Sequence, residues 1–435
     1  MAKKTIKASS NGKHEEASAA YFKSLTLENV KCFKGEHTID FSDKKGGYAK
    51  WTVILGNNNT GKTTVLKSLA SLESMPLVYA DSPSDKQKSA WLPSFLLNEY
   101  YSSFNKTYKP IQPSQISSNL LIHPQEKDML FILEGWGSKN NTISGIPFNP
   151  HLQIETYGVV RKISSNGLSE IKETIRHRNL FDNDELMNVE EWILQLSLSE
   201  KLGEHKATAL LKQIRNILTS GLLPDVKDFN IVSEKKGATF NNFVLFDTDY
   251  GKIRLRDLGY GYQTMMAWVL DLVRRLVERY PDSENPLSEP AIVLVDEIDL
   301  HLHPEWQRKI IGHLSKYFPN TQFIVTAHSP LIVQSAENVN LVLLRKENDQ
   351  VTIEQPKIRN FKGWTIEEIL SDLMDLEGQT MSDTYLTLVD KFTQAIENDD
   401  FRQAQEAYND LDKILHPRSE RRKLFRLEMT SLTHA

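Results

Sequence analysis

The chain has 435 residues, of which 40% are hydrophobic and 25% charged, so it can bury a large core and falls outside the disordered and membrane-spanning classes. Its net charge of −5 excludes a globally basic nucleic-acid coat while leaving room for a local basic patch. A single cysteine, Cys32, excludes an intramolecular disulfide framework and a cysteine-based zinc cluster, and with no apolar run of bilayer length a cytoplasmic location is expected.

Residues 1–20 carry lysines but no apolar stretch like that of a signal peptide, and read as a disordered tail. Residues 22–41 alternate apolar and polar positions around a turn, the pattern of two half-buried antiparallel strands. WTVIL at 51–55 is a short apolar run ending on Gly56, and KTTVLKSLASL after it has helical spacing, giving strand, loop and helix. From about 75 to 240 the simple alternation lapses: Pro- and Ser-rich stretches lie around 82–120, strands are expected at 129–135 and 151–164, and amphipathic helix at 184–219. FNNFVLF and KIRLRDL return to strands. A strong helix follows at 263–280, then two buried strands, AIVLVDEID and QFIVTAHS, which predict a parallel core. Beyond Pro356 the chain reads as helices near 364–375, 383–397, 400–414 and 418–431.

GNNNTGKT at 56–63 matches G-x-x-x-x-G-K-[ST] and sits between a predicted strand and helix, as that phosphate-binding motif requires. Gly56 and Gly61 let the backbone turn so that the N–H groups of Asn57, Asn58, Asn59, Thr60 and Gly61 can face phosphate oxygens at a helix N-terminus. Lys62 is expected to reach the β- and γ-phosphates, Thr63 to ligate Mg²⁺, and Thr64 to add a phosphate contact. In VLVDEID an apolar strand delivers Asp296 to hold the metal and Glu297 to polarise a water. His328, in TAHSP after the next strand, is expected to donate to the γ-phosphate or the attacking water. ATP and Mg²⁺ are thus the expected ligands. His301 and His303 lack a third metal-ligating neighbour and are expected to serve structure. IRHRN at 175–179 lacks metal-ligand spacing and is expected to be a solvated charged segment, and FDTDYG at 246–251 a hairpin turn.

The order P-loop, late glycine-rich stretch, paired acids and single histidine resembles the ABC/SMC/RecF-type ATPases over 22–75 and 240–345. In that family a signature L-S-x-G-x-[QR] opens a helix whose amino end caps the γ-phosphate held by the opposite subunit. The matching residues here are Leu258, Gly259, Tyr260, Gly261, Tyr262 and Gln263. Gly259 replaces the usual serine, so one hydroxyl contact is lost, which implies either slow hydrolysis or ATP acting mainly as a conformational ligand. The resemblance also places Asp299 at a contact to the other subunit.

The implied fold is α/β: an ABC-type ATPase head with a mixed P-loop sheet, an inserted α+β lobe and a C-terminal helical extension. The organisation expected is a tail at 1–20, a P-loop lobe at 21–75, the inserted lobe at 76–240, the signature and acid-pair part at 241–355, and a partner-docking helical region at 356–435. With its compact insertion and its ending DLDKILHPRSERRKLFRLEMTSL, the chain is further similar to the ATPase subunits of Septu antiphage systems and their retron-associated relatives. That resemblance implies a homo-oligomer that recruits and controls a separate HNH nuclease, with no nuclease centre of its own and with DNA met through the complex. A RecF-like DNA-repair ATPase is the alternative. Leu370, Leu373, Leu376, Tyr385, Leu388 and Phe392 recur at near-helical spacing and could form the docking face or pack on the core. Arg418, Arg421, Arg422, Lys423 and Arg426 could meet phosphates, with acids between Glu397 and Asp412 available to neutralise them.

Overall fold

A computed structural model describes residues 19–72, 99–102, 107–110, 115–123, 127–134, 154–165, 178–182, 185–223, 225–348, 350–376 and 381–432. Residues 1–18 of the expected tail, most of the Pro- and Ser-rich stretch and the histidine of IRHRN lie outside these residues, whereas Ala19 and Ala20, expected at the end of the tail, begin a strand because they pair with His123 and Ile122. The chain divides into two compact units, one running to Trp364 and the other from Thr365.

In the first unit, β1 (Ala19–Val30) and β2 (Phe33–Asp40) form an antiparallel hairpin, and β3 (Trp51–Gly56) leads through a loop into α1 (Lys62–Ala70). The short strands β4 (Glu99–Ser102) and β5 (Thr107–Pro110) pair with each other. Next come β6 (Gln115–His123), β7 (Lys127–Glu134), β8 (Ile154–Tyr157) and the helices α2 (Arg178–Asp182), α3 (Val189–Lys201) and α4 (His205–Ile217). A three-stranded antiparallel sheet follows, made of β9 (Val226–Lys236), β10 (Thr239–Thr248) and β11 (Gly251–Arg254). The unit is completed by α5 (Tyr260–Arg279), β12 (Ala291–Val295), α6 (Pro304–Tyr317), β13 (Thr321–Thr326), α7 (Pro330–Ser335), β14 (Asn340–Glu347) and β15 (Gln350–Glu354).

The central sheet has the order β15-β14-β3-β13-β12-β8 and is parallel except for β15. Its strands are near-continuous apolar runs because both faces are covered: every residue of β12 and β13 is buried. On one face Ile54, Leu294, Ile324 and Val342 share a core with Leu25 and Leu27 of β1 and Val65 and Leu66 of α1. Each such side chain contributes about 1.5–3 kcal/mol of burial. The second sheet, β2-β1-β6-β7, is locked to the first by Gln322, fully buried on β13. Its amide accepts from Phe22 N and donates to Phe22 O, both at 2.8 Å, so the buried side chain is satisfied.

The segment 76–240, expected as one inserted lobe, gives three of its strands to these sheets: β6 and β7 extend the hairpin sheet, and β8 is an edge of the central one. Its irregular sequence hid this, because pairing partners lie far away in the chain. Asp249 and Tyr250 form the turn between β10 and β11, a hairpin at FDTDYG.

The second unit contains α8 (Ile366–Met374), α9 (Asp383–Glu397), α10 (Phe401–Ile414) and α11 (Glu420–Leu432). A capping box of Thr365 and Glu368 starts α8, and Ser382 and Asp400 cap α9 and α10. Tyr385 and Phe392, which the sequence leaves open between a docking face and core packing, are buried in a core with Leu411, Phe425 and Met429, and Leu373 is buried too. The apolar face of α9 points inward because α10 and α11 close over it. Among the described residues of this unit, the large apolar side chains left exposed are Leu386, Phe401, Ile414, Leu424 and Leu427. Replacing Phe392 by Ala should cost about 3–5 kcal/mol, the range for emptying an aromatic core site. Denaturant unfolding followed by a probe within this unit checks it. No described helix is long and apolar enough to cross a membrane.

Candidate functional site

The carboxyl ends of β3, β13 and β12 lie side by side in the parallel sheet, and the loops leaving them build the site. After β3 the chain turns at Gly56, where an added Cβ would come within 2.5 Å of Thr60 Oγ1 and 2.6 Å of the Leu344 carbonyl. Gly61 has φ 90°, in the left-handed region, and a Cβ there would sit 2.5 Å from Cys32 Sγ and 2.9 Å from Phe33. Backbone is therefore exposed where a side chain would fill the cradle. Gly61→Ala should lower stability by about 2–4 kcal/mol from left-handed strain and overpacking together, read as a shifted denaturation midpoint.

Lys62 opens α1 and folds back over the loop, donating to Gly56 O at 2.8 Å and Asn57 O at 2.9 Å. Burial pushes its ammonium pKa down, while Asp296, Glu297 and Asp299 push it up; burial is the larger effect. Thr63 Oγ1 donates to Asp296 Oδ2 at 2.7 Å, and Thr326 Oγ1 donates to Asp296 Oδ1 at 2.6 Å. The same Thr326 oxygen accepts from Glu297 N at 2.7 Å. Glu297 has φ 49°, a left-handed conformation at the turn where β12 ends. His328 Nε2 lies 3.8 Å from Glu297 Oε1.

A cleft of about 700 Å³ is lined by Asn58, Asn59, Gly61, Lys62, Thr63 and Thr64 on one side and Glu297 and His328 on the other. Lys31, Cys32 and Lys67 complete its wall. Such a cleft offers backbone N–H groups, a helix N-terminus and an ammonium to phosphate oxygens, facing a carboxylate and an imidazole. Lys31 and Cys32 were not singled out by sequence reasoning as site residues; their place on the β1–β2 turn is set by tertiary packing of the hairpin against the P-loop.

The glycine-rich stretch that opens α5 is not part of this cleft's lining. Gly259 is the N-cap of α5, and a Cβ on Gly261 would sit 2.5 Å from His301 O, so α5 starts hard against the loop after β12. Gln263 Nε2 donates to Leu258 O at 2.7 Å, Tyr262 OH donates to Asp225, and Tyr260, a residue more than half exposed, packs edge-on against His301. His303 Nδ1 accepts from Glu305 N and caps α6. Asp299 accepts from His328 N through both oxygens, at 3.0 and 3.2 Å, so its carboxylate is engaged within its own chain.

These geometries belong to a chain whose kinship the sequence comparisons settle. The family model described as "AAA domain, putative AbiEii toxin, Type IV TA system" matches residues 51–334, and a second AAA domain model matches 24–72. The chain belongs to this AAA family of ATPases. Within it, the chain is related to Septu protein PtuA of Bacillus thuringiensis, 27% identical over 390 residues that cover 87% of this chain and 91% of the relative. PtuA of Bacillus mycoides is 26% identical over 91% of this chain and 50% of its own length. The retron Ec83 probable ATPase of Escherichia coli is 37% identical over 149 residues, 34% of this chain and 27% of that protein. The chain thus spans nearly all of one such relative and half or less of the other two. Among solved structures, an SMC head bound to the C-winged helix domain of ScpA aligns with TM-score 0.42 and 15% identity, covering 77% of this chain and 97% of that one.

Proposed function

We propose that this chain is the ATP-binding and hydrolysing regulatory subunit of an antiphage defence complex that recruits and controls a separate HNH nuclease. The observation that carries the ATPase half is the convergence of Lys62, Thr63, Glu297 and His328 on one cleft above the parallel sheet. Lys62 exchanges its loop carbonyls for β- and γ-phosphate oxygens, Glu297 takes a proton from the attacking water, and His328 donates to the γ-phosphate. Thr63 Oγ1 and Asp296 Oδ2, adjacent hard oxygens, fit a Mg²⁺ ion, which would neutralise phosphate charge there. Nucleotide is held between head-to-tail protomers, with Gly259 and Gly261 of one chain reaching the phosphate of the next. That agrees with a glycine-rich helix start lying outside the cleft of its own chain. Without a serine hydroxyl at Gly259, hydrolysis is slow.

The defence half rests on kinship to PtuA over most of the chain. The helical unit from Thr365 docks the nuclease, using the exposed apolar residues rather than the buried face of α9. Direct DNA binding is weak: Arg422 pairs with Asp412, Lys423 with Glu420, and Arg421 donates to Tyr385 OH. Co-purification with the product of the neighbouring gene, followed by DNA cleavage assays with and without ATP, tests this. An HNH protein that co-purifies and cleaves under nucleotide control supports it. Tight DNA binding and DNA-stimulated ATP turnover by the lone chain would replace it with the RecF-like repair reading.

A further inference from the structure

Four residues beyond β8, Arg161 turns its side chain back into the core and is only 3% exposed. Its guanidinium donates through Nη2 to Asp296 O and to Glu297 O, the latter at 2.8 Å, and through Nε to Gly158 O at 3.2 Å. One planar fork therefore ties the two successive carbonyls of the acid turn to the strand exit beside it. The guanidinium carbon also lies 5.9 Å from the Trp268 ring of α5, the helix that begins with the glycine-rich stretch. Asp296 N donates to Tyr157 O at the end of β8, and on the other side of the turn Glu297 N donates to Thr326 Oγ1 of β13. With its N–H groups and carbonyls all fixed, the turn keeps Glu297 at a positive φ and its carboxylate on the cleft wall.

We infer that Arg161 is a positioning residue for ATP hydrolysis, which aims the Glu297 carboxylate by holding the carbonyls of Asp296 and Glu297. Arg161 does not line the cleft, and its hydrogen bonds go to Gly158, Asp296 and Glu297 rather than to the P-loop. Its loss therefore separates hydrolysis from binding, since Lys62, Thr63 and the loop N–H groups stay in place. A lysine retains the charge but cannot span two carbonyls and Gly158 O at once. The inference rests on the proposed role of Glu297.

The test uses the full chain carrying Arg161→Lys or Glu297→Gln, with equilibrium ATP binding, kcat for hydrolysis and the thermal unfolding midpoint measured for each. Arg161→Lys should lower kcat about 10- to 100-fold, the usual effect of removing a group that orients a reacting residue, while ATP affinity stays within about 2-fold of wild type. A wild-type kcat in Arg161→Lys overturns the inference and leaves the role of Glu297 standing. Affinity and unfolding midpoint falling together with kcat overturns it as well, because Arg161 would then be holding the fold. A wild-type rate in Glu297→Gln would remove the reading beneath it. The lysine variant keeps the test open where Arg161→Ala fails to fold.

Discussion

Lys62→Ala should abolish measurable ATP binding, with affinity lower by about 10²- to 10³-fold, which corresponds to about 3–4 kcal/mol. Charge-assisted hydrogen bonds to a buried partner are each worth about 1.5–3 kcal/mol, and this ammonium is placed to make more than one to the phosphates. The side chain is 7% exposed and already folded over the loop, so little ordering remains when the nucleotide enters. Burial works against its charge, and phosphate restores the compensation that the loop carbonyls give in the free chain. Calorimetric titration with ATP reads the effect. Unchanged affinity would mean that the phosphates sit elsewhere.

Glu297→Gln should lower kcat about 10²- to 10⁴-fold, the range for removing a general base, with ATP affinity retained. The substitution keeps the shape of the side chain and leaves Thr63, Asp296 and Thr326 bonded as they are. What disappears is the group able to accept a proton on the cleft wall, 3.8 Å from His328. Single-turnover hydrolysis separates this from a change in product release. A variant that hydrolyses at the wild-type rate would assign the base to another residue.

Much of the cleft was legible in the sequence because its parts are local. A glycine-rich loop between a strand and a helix occupies only eight consecutive positions, and the paired acids follow directly on an apolar strand. The parallel core was legible for the same reason: WTVIL, AIVLV and QFIVT are runs that only a sheet covered on both faces would bury. Arg161 was not legible, since the acid-turn carbonyls it holds lie more than a hundred positions away and nothing in RKISS marks an arginine that turns inward. Strand β8 was expected as part of a longer run at 151–164, but ends at Tyr157 because Gly158 packs within contact of Asn179 and the chain turns there. β14 and β15 escaped assignment although NLVLL carries the same apolar signal as β3, and β15 adds the sheet's antiparallel edge. For α9, periodicity showed an apolar face without showing what covers it. Phe392 is as consistent in sequence with a docking site as with the core it occupies.

The central claim, that ATP is held between two copies of this chain at the cleft of Lys62 and Glu297, is tested most directly by native mass spectrometry of the wild-type protein with and without ATP and Mg²⁺. The account predicts assemblies whose nucleotide-bearing form carries one ATP per chain and in which chains associate more tightly when ATP is present. A chain that binds ATP with no change in its association, or that binds none, would contradict it.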